Sequence, residues 1–409
     1  MSRYLSSVEI NRKKSSFFVK AYFLLFVFFK HFLTRPFYIF AVILSFIVVS
    51  SVTLLTFSVR NGLENVIENT HEPGLFFIKN GISNSELTSF LTKNQQHYIE
   101  NIIGVNSVDN KIIYSPELVL LTRQILLGTS RDFVLRGVTD QAFIMRNPIN
   151  NNLYSNVIDG VLFQPGKREV IVGQALAKRY PELNLGKKIR ISGSDWKIVG
   201  IFKSGGSVRE SEIWADKNLL RNYFKLGDLV NIISFYSEPH VSLNVLNRSL
   251  TEMKDNEIVV TNSKENYKNY ANGFMDLMQT FGVAFTFIGG VIVFSGIAVL
   301  VESVLINMRA EIVTLKLIGY DKILFFCFTI PFFIFSLIGV FISICLYGLI
   351  SYRLNFGTLV GFTEVVFVSK MTFTLFFYTL IYCLGLVFIA CLINYNRFMN
   401  LFKFKVNSF

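Results

Sequence analysis

The sequence predicts a polytopic α-helical membrane protein with four transmembrane helices and a large α+β extracytoplasmic domain between the first and the second. Three observations predict this fold class. Of the 409 residues, 52% are apolar, and the mean hydropathy is +0.46. Four apolar runs are each long enough to cross a bilayer, which takes about 20 residues. Residues 61–262, between the first two runs, contain no such run and carry mixed strand and helix patterns.

The charge of the chain is informative mainly through its placement. The formal net charge is +12, and seven basic residues precede the first apolar run, opposed there only by Glu9. The positive-inside rule therefore predicts a cytoplasmic N-terminus. Because these charges flank a span, we expect no nucleic-acid partner. The four cysteines lie in or beside apolar runs and the four histidines are scattered, so we expect neither a disulfide framework nor a metal site.

Residues 1–36 are expected to form a cytoplasmic N-terminus with an interfacial elbow helix at 17–33. That stretch is apolar, but Lys20, Lys30 and His31 interrupt it. Such a helix suits the membrane surface better than the bilayer core. A cleavable signal peptide is the alternative, but no small-residue cleavage site follows and another long apolar run does.

The first span is expected at 37–59 and an extracytoplasmic domain at 60–262, where about 200 residues can bury a core of their own. Alternating apolar and polar residues on both sides of Gly193 predict a β-hairpin formed by 188–192 and 196–202.

Four more elements are predicted inside this domain. Strands are expected at 133–138 and at 169–172, and a small helix at 174–180 follows the second. The polar segment 85–103 is expected to be helical, because Ser83 and Glu86 have capping-box spacing and a glycine, Gly104, follows its end.

Residues 263–306 are expected to form a stalk and the second span as one long helix. No proline interrupts the segment, and Asn262 or Ser263 can cap its start. At a rise of 1.5 Å per residue the helix would be roughly 65 Å long, about twice the hydrocarbon thickness of a bilayer. A rod of this length can carry a movement from one side of a membrane to the other.

Small residues recur at every seventh position of this helix, which predicts a packing seam. The seam consists of Gly282, Gly289, Gly296 and Ser303, continued by Ala310. A seven-residue period keeps one face aligned in a left-handed helix pair, and small residues let the partner backbone approach closely. The alternative is that glycine is simply common in membrane helices.

The remaining segments complete the predicted topology. We expect a cytoplasmic helix at 307–322, a third span at 323–350, a short outer loop at 351–370, a fourth span at 371–393 and a cytoplasmic tail at 394–409. The segment 307–322 is amphipathic, which favours a docking element for a soluble partner over a plain juxtamembrane turn.

The sequence predicts no catalytic residue. Neither Gly-x-Ser-x-Gly nor His-Glu-x-x-His is present, and the glycine-rich segment 160–168 fails as a phosphate loop because five residues separate its glycines and Arg168 replaces Ser or Thr. Glu302 is the sole acid between 281 and 306. It indicates either an ion pathway or an acid that reaches interfacial water.

Residues 307–320 read Asn-Met-Arg-Ala-Glu-Ile-Val-Thr-Leu-Lys-Leu-Ile-Gly-Tyr. This segment resembles the Arg-x-x-Glu-Ile-x-x-Leu-Arg-x-Leu-Gly element of FtsX/MacB/LolC-type ABC transporter permeases, which ends their second span and contacts the ATP-binding subunit. The coupling residues that the resemblance implies here are Arg309, Glu311, Ile312, Leu315, Lys316 and Gly319. The Arg-to-Glu spacing is shorter than in the family, and Lys316 replaces the usual arginine, which keeps the charge but loses the bidentate fork.

Several stretches of the outer domain resemble the MacB-like periplasmic core of the same superfamily. They are residues 136–139, 164–177, 185–189, 196–202 and 205–216. The likeness extends over roughly residues 35–400, with an FtsX-like permease domain at about 281–400.

The resemblance implies a permease subunit in the bacterial inner membrane, with both termini cytoplasmic and no ATP-binding domain of its own. Its expected partners are a cytoplasmic ABC ATPase that binds ATP and magnesium, a second permease chain in a homo- or heterodimer, membrane lipid and a periplasmic adaptor. Such a subunit converts ATP-driven motion into movement of its periplasmic domain, for export or extraction of a lipophilic, lipoprotein or peptide substrate. The alternative is an FtsX-like signalling or scaffold protein that regulates a periplasmic partner without transport.

Overall fold

The computed structural model describes residues 19–83, 85–108, 111–126, 128–146, 156–252, 257–320, 323–353, 355–360 and 363–400. The chain divides into two compact units. The membrane unit comprises Met1–Ser58, Met278–Leu354 and Met371–Phe409, and the extracytoplasmic unit comprises Val59–Leu277 and Asn355–Lys370.

Eleven helices are present in the described residues. They are α1 (19–34), α2 (Pro36–Asn69), α3 (Lys93–Gln96), α4 (Asp140–Arg146), α5 (Gln174–Arg179), α6 (Lys217–Tyr223), α7 (Leu243–Glu252), α8 (Ser263–Asn307), α9 (Arg309–Leu317), α10 (Leu324–Arg353) and α11 (Phe373–Asn400).

Four of these helices contain segments that are long and apolar enough to cross a membrane. The segments are Pro36–Asn69, Ala271–Asn307, Leu324–Ser351 and Phe373–Met399, each with a mean hydropathy of 2.4 or 2.5 over its most apolar window. The mixed α/β unit follows the first of them in the chain. The predicted fold class is therefore confirmed.

Fourteen strands are described. They are β1 (Leu75–Asn80), β2 (Ser107–Val108), β3 (Lys111–Ile112), β4 (Tyr114–Leu126), β5 (Thr129–Val138), β6 (Val157–Gly160), β7 (Glu169–Gly173), β8 (Lys188–Ile191), β9 (Ser194–Phe202), β10 (Glu212–Asp216), β11 (Ile232–Tyr236), β12 (Ile258–Asn262), β13 (Asn355–Val360) and β14 (Thr363–Val368). Ten of them form one sheet in the order β12-β1-β11-β4-β5-β10-β7-β9-β6, with β8 paired to β9.

Strand β4 belongs to two parts of this sheet. Its first residues, 114–117, pair with β11, and its later residues, 118–126, pair with β5. Each part has its own hydrophobic core: Ile233, Phe235 and Leu246 are buried in the first, and Phe133 and Trp196 in the second. The two cores are separate, and β4 is the strand that runs through both parts of the sheet.

Aromatic side chains of α1 pack against α10 in the membrane unit. The rings of Phe28 and Phe328 meet edge to face with centroids 5.6 Å apart, and Phe32 and Phe332 do so at 5.1 Å. Such edge-to-face pairs add to the area that large side chains bury. They fix α1 on α10.

Four predicted elements of the extracytoplasmic unit are confirmed. The hairpin is β8–β9, and its turn is formed by Ser192 and Gly193, both with positive φ. The strand that leads into a small helix is β7 followed by α5, and β5 covers the strand predicted at 133–138.

The helix predicted over 85–103 is wrong. That segment contains only short helical turns, at Glu86–Thr88, Lys93–Gln96 and His97–Asn101. Leu91 lies between them in extended backbone, where its N–H donates to the carbonyl of Val230 at 2.7 Å. This tertiary pairing outweighs the local helix signal. The first turn is capped by Ser85, whose side-chain oxygen accepts a hydrogen bond from the N–H of Leu87.

The segment 351–370, predicted as a short loop, contains the hairpin β13–β14. Val365 and Phe367 of β14 are buried in a core of the extracytoplasmic unit, together with Leu63 of α2 and Tyr267 and Ala271 of α8. The hairpin therefore packs on the parts of α2 and α8 that lie in this unit.

Candidate functional site along helix α8

Helix α9 ends in a glycine-dependent cap. The N–H of Gly319 donates to the carbonyl of Lys316 at 2.8 Å, and the N–H of Tyr320 donates to that of Leu315 at 3.3 Å. These two bonds are the Schellman pattern, which needs a residue in the left-handed region at the glycine position. Gly319 has φ +97, a conformation that a residue with a Cβ adopts only with strain.

The remaining predicted coupling residues divide between two faces of α9. Ile312 and Leu315 are buried against the membrane unit, whereas Arg309 and Glu311 are exposed and Lys316 is partly exposed. The apolar face anchors α9, and the polar face lies on the protein surface.

Three members of the predicted seam meet α2. A Cβ at Gly289 would lie 2.9 Å from a methyl carbon of Val49, and one at Gly282 would lie 3.1 Å from a methyl carbon of Thr56. The hydroxyl of Ser303 is 3.0 Å from the hydroxyl of Tyr38.

The fourth member of the seam differs from the other three. Gly296 has no described atom within 4 Å of the place of a Cβ. The structure therefore brings Gly282, Gly289 and Ser303 to one helix pair and leaves Gly296 at a position that is open among the described residues.

A second close contact of α8, which the sequence reasoning missed, involves α11. The hydroxyl of Tyr382 donates to the carbonyl of Thr286 at 2.6 Å, and a Cβ at Gly290 would collide with that hydroxyl. Gly290 lies next to the seam glycine Gly289. These adjacent glycines therefore allow close contacts with two different helices, α2 and α11.

Glu302 forms an ion pair with Arg397 of α11. A charged group in a membrane helix is costly unless it reaches a partner or water. The cationic partner is therefore an explanation for this acid that needs no ion pathway. Because Arg397 lies in the predicted cytoplasmic tail, the sequence did not connect the two.

At the other end of α8, the extracytoplasmic unit contains a buried ion network centred on Arg136. The guanidinium donates to both oxygens of Glu212 at 2.7 Å, to Glu117 at 2.8 Å and to Glu86 at 2.9 Å. All four side chains are 6% exposed or less. A buried arginine is stable only when such partners replace its lost water.

Two consecutive residues of α8 join this network. The guanidinium of Arg136 donates to the hydroxyl of Tyr267 at 3.3 Å, and the amide of Asn266 donates to Glu86 at 2.9 Å. Lys79 in turn donates to the side-chain oxygen of Asn266 at 3.1 Å. The first turns of α8 are thus tied to β1, to β5 and to the segment that contains Glu86.

Burial has a visible electrostatic consequence here. Burial raises the pKa of Tyr267 well above its ordinary value, and the charges of Glu86 and Glu212 act in the same direction. The tyrosine therefore stays neutral well into alkaline pH. It offers its oxygen to Arg136 as an acceptor.

The Arg136 network is the largest feature that the sequence reasoning missed. Its one local signal is a charged residue inside an apolar strand, as for Arg136 in β5 and Glu117 in β4. Lys, Arg, Asp and Glu are almost never fully buried unless paired, so such positions predict partners without identifying them.

A single helix links the Arg136 network to the start of α9. This helix, Ser263–Asn307, begins in hydrogen bonds with the Arg136 network and ends directly before α9. Arg136 and its carboxylates are packed against one another and buried, so they are poorly placed to meet a substrate.

A family model described as MacB-like periplasmic core domain matches residues 38–253. A search of curated protein sequences found no significant match.

Two solved structures are among those similar to the chain. The periplasmic region of MacB from Actinobacillus actinomycetemcomitans has 13% sequence identity and a TM-score of 0.33, over 50% of this chain and 95% of that one. The extracellular domain of the noncanonic ABC-type transporter YknZ from Gram-positive bacteria has 17% identity and a TM-score of 0.33, over 46% of this chain and all of that one.

Proposed function

Because the chain belongs to the MacB-like family of ABC-type transporter permeases, we propose that it is the membrane subunit of an ABC transporter whose ATPase is a separate cytoplasmic subunit. ATP and magnesium would be bound by that subunit. The chain would lie in the bacterial inner membrane with both termini in the cytoplasm, in a dimer with a second permease chain.

The observation that carries the proposal is the continuity of α8. The helix has 45 residues, about 68 Å at 1.5 Å per residue, and its first turns bond to the Arg136 network. In the proposed mechanism the ATPase subunits close on ATP and push the exposed face of α9. The long helix transmits this motion to the extracytoplasmic domain.

We propose that the cargo is moved outside the bilayer rather than through the spans. The four spans are strongly apolar, with a mean hydropathy of at least 2.4 in each, and offer little to line a hydrophilic path. Export or extraction of a lipophilic, lipoprotein or peptide substrate fits such a machine, together with membrane lipid and a periplasmic adaptor as further partners.

The first test is gentle detergent purification of the tagged chain from its native host, followed by mass spectrometry of the bound proteins. The proposal expects a stoichiometric ABC ATPase. Absence of an ATPase even after nucleotide-trapped crosslinking would overturn it.

Reconstitution of that complex in vesicles then separates transport from regulation. ATPase activity that a lipid or lipoprotein substrate stimulates supports the transporter. A complex that binds a cell-wall enzyme and shows no substrate-dependent stimulation supports the FtsX-like regulator instead.

A further inference from the structure

A cleft of about 610 Å³ lies in the extracytoplasmic unit between the later part of β4 and the hairpin β8–β9. Residues 121–126 of β4 line one side, and Lys188, Ile189 and Arg190 of β8 line the other. Leu183 and Phe224 contribute apolar side chains to the same cleft.

The β4 side of the cleft is a free strand edge. Beyond residue 117, β4 pairs with β5 alone among the described strands. In the register Leu126↔Thr129 the paired residues are three positions apart in sequence, so alternate residues from Leu126 backwards bond to β5. The N–H and C=O groups of Leu121, Arg123 and Ile125 therefore point away from β5.

One observation supports this assignment of the edge. The N–H of Val119, which has the same parity as Leu121, donates to the side-chain oxygen of Asn231 at 2.8 Å. The side chain of Asn231 thus caps the first outward group of β4, and the outward groups that follow line the cleft.

The β8 side is a second free edge. Among the described strands β8 pairs only with β9, and the register Ile191↔Ser194 closes a two-residue turn. By the same alternation, the backbone groups of Lys188 and Arg190 point away from β9. Two unpaired edges therefore face the same cleft.

A single side chain bridges the two edges in the described hydrogen bonds. The amide of Gln124 donates to the carbonyl of Arg190 and to the hydroxyl of Thr122, both at 2.9 Å. Gln124 thus supplies to β8 the kind of donor that a neighbouring strand would supply.

The two faces of the cleft differ in chemistry. Toward the interior lie Leu126, Leu183 and Ile189, which are buried. Toward solvent lie Lys188 and Arg190, both exposed and without an ion pair in the part of the chain that the structure describes, and Arg123, which is paired with Asp132. Glu182 also lines the cleft. A strand laid between the edges would point alternate side chains to an apolar interior and to a basic rim.

We propose that β4 and β8 move apart to bind an extended peptide segment of a partner protein outside the cytoplasm, by β-strand addition between them. Their edges approach within 8 Å in this structure, whereas two strands on either side of a third lie about 9.6 Å apart. The segment has apolar residues at alternate positions and acidic residues between them. Main-chain hydrogen bonds to both edges supply the affinity, and the alternating side chains supply the specificity. The site needs only the extracytoplasmic unit, so it is independent of coupling to an ATPase.

The test uses the full-length chain in detergent and a fluorescein-labelled peptide of alternating valine and glutamate, about seven residues or roughly 23 Å long. Saturable binding by fluorescence anisotropy is expected. The controls are the same peptide with lysine in place of glutamate, and a scrambled peptide in which the alternation is lost. Both should bind at least about tenfold more weakly.

The backbone ladder is tested on the peptide itself. N-methylation of alternate residues of the peptide removes the backbone N–H donors that face one edge of the cleft. It leaves all side chains of the peptide unchanged. Each of the two alternate sets should weaken binding, because the strand bonds to β4 on one side and to β8 on the other. Insensitivity to both sets would overturn β-strand addition.

Two sets of variants test the protein side. Lys188→Glu with Arg190→Glu should lower the affinity for the acidic peptide about tenfold and raise that for the basic peptide. The matched control, Lys167→Glu with Lys203→Glu, changes two exposed lysines outside the cleft and should leave both affinities unchanged. Gln124→Ala should raise the affinity severalfold, because the peptide no longer competes with the amide for Arg190.

The outcomes separate cleanly once size-exclusion chromatography shows that each variant is monodisperse. Binding of the acidic peptide that the charge reversal at Lys188 and Arg190 weakens and that Gln124→Ala strengthens supports the proposal. Absence of binding to both the wild type and Gln124→Ala overturns it, as does binding that the charge reversal leaves unchanged. Self-association through the cleft, detected as loss of dimers in the charge-reversal variant, would assign the site to a second copy and also overturn it.

Discussion

Both carboxylate oxygens of Glu212 accept a hydrogen bond from the guanidinium of Arg136, each at 2.7 Å. The pair joins the parallel strands β5 and β10 at the point from which Arg136 also reaches Glu117, Glu86 and Tyr267. A planar guanidinium matches a carboxylate in this bidentate geometry, which a lysine cannot reproduce. The network therefore depends on arginine at this position.

Arg136→Met is expected to destabilise the protein by about 3 kcal/mol or more, because it leaves buried carboxylates without their cation. Arg136→Lys should destabilise it too, since one ammonium group cannot form the bidentate hydrogen bonds of the planar guanidinium. Chemical denaturation of the full chain in detergent, followed by tryptophan fluorescence, measures both effects; Trp214 donates to Glu212 and reports on the site directly.

The matched control is Arg123→Ala. Arg123 also forms a bidentate pair, with Asp132 at 2.8 and 3.0 Å, but its side chain is exposed. Exposed ion pairs contribute about 0–1 kcal/mol, so this variant should unfold almost like the wild type. Equal losses at positions 136 and 123 would contradict a special role for the buried network.

Tyr267→Phe tests the same network through pH. Burial raises the pKa of Tyr267 above the ordinary value of 10.0, so this tyrosine stabilises the fold fully below about pH 10. Its contribution falls as the pH rises further, because the unfolded chain then loses a proton that the folded chain keeps. The variant lacks this titration, and at neutral pH it should lose about 1 kcal/mol with the hydrogen bond from Arg136.

The measurement is the free energy of unfolding between pH 8 and pH 11. The difference between the wild type and Tyr267→Phe should be constant up to about pH 10 and shrink above it. Tyr98→Phe, at a half-buried tyrosine in another core, controls for the general effect of alkali. A constant difference across the whole range would show that Tyr267 does not titrate as expected.

The parts of this fold that the sequence predicts are those that depend on residues close together in the chain. The length and hydropathy of the spans can be read from the sequence without tertiary contacts. Gly319 indicates the end of α9, because the C-terminal cap of that helix requires a residue in the left-handed conformation. The hairpin at Gly193 was predictable for the same reason: two-residue turns need residues that tolerate positive φ.

The parts that the sequence does not predict depend on distant partners. Tyr267 lies 131 residues from Arg136, and Glu212 lies 76 residues from it, so no local pattern joins them. The helix expected over 85–103 failed because Leu91 pairs with Val230, far along the chain. At the seam, spacing identified the glycines, but it could not show that Gly296 faces open space while Gly289 meets Val49.

Glu311→Lys and Gly319→Val are expected to abolish stimulation of the ATPase while leaving the protein inserted. The first reverses the charge on the exposed face of α9. The second places a β-branched residue at φ +97, which costs about 1–2 kcal/mol locally and disrupts the cap. ATPase activity of the purified complex in vesicles, with the amount of bound ATPase subunit, measures the loss.

Each of these variants has a control elsewhere in the chain. Asp276→Lys makes the same charge change at an exposed position of α8, and Gly385→Val adds the same side chain to α11, where a Cβ meets no described atom within 4 Å. Both should retain stimulated activity. If the α9 variants also retain it, α9 is not the coupling element.

The seam predicts different results at two of its glycines. Gly289→Leu should separate α2 from α8, because its Cβ alone would stand 2.9 Å from Val49. Overpacking of this kind costs about 1–3 kcal/mol, which thermal unfolding in detergent can detect. Gly296→Leu should leave the stability of the single chain unchanged, because that position is open.

Crosslinking through engineered cysteines near position 296 then tests the second half of the seam. If Gly296 faces the second permease chain, Gly296→Leu should reduce the crosslinked dimer although the chain folds normally. A dimer yield equal to that of the wild type would limit the seam to the α2–α8 pair.

The ion pair between Glu302 and Arg397 gives a charge-swap experiment. Glu302→Arg alone should destabilise the membrane unit, because it places two cations beside each other where a membrane helix meets α11. Combining it with Arg397→Glu restores an opposite pair and should recover most of the loss, which a double-mutant cycle on thermal stability measures. If the swapped protein is stable and still active, the acid serves to hold α8 and α11 together. Recovery of stability without recovery of activity would instead require an acid at position 302, as an ion pathway does.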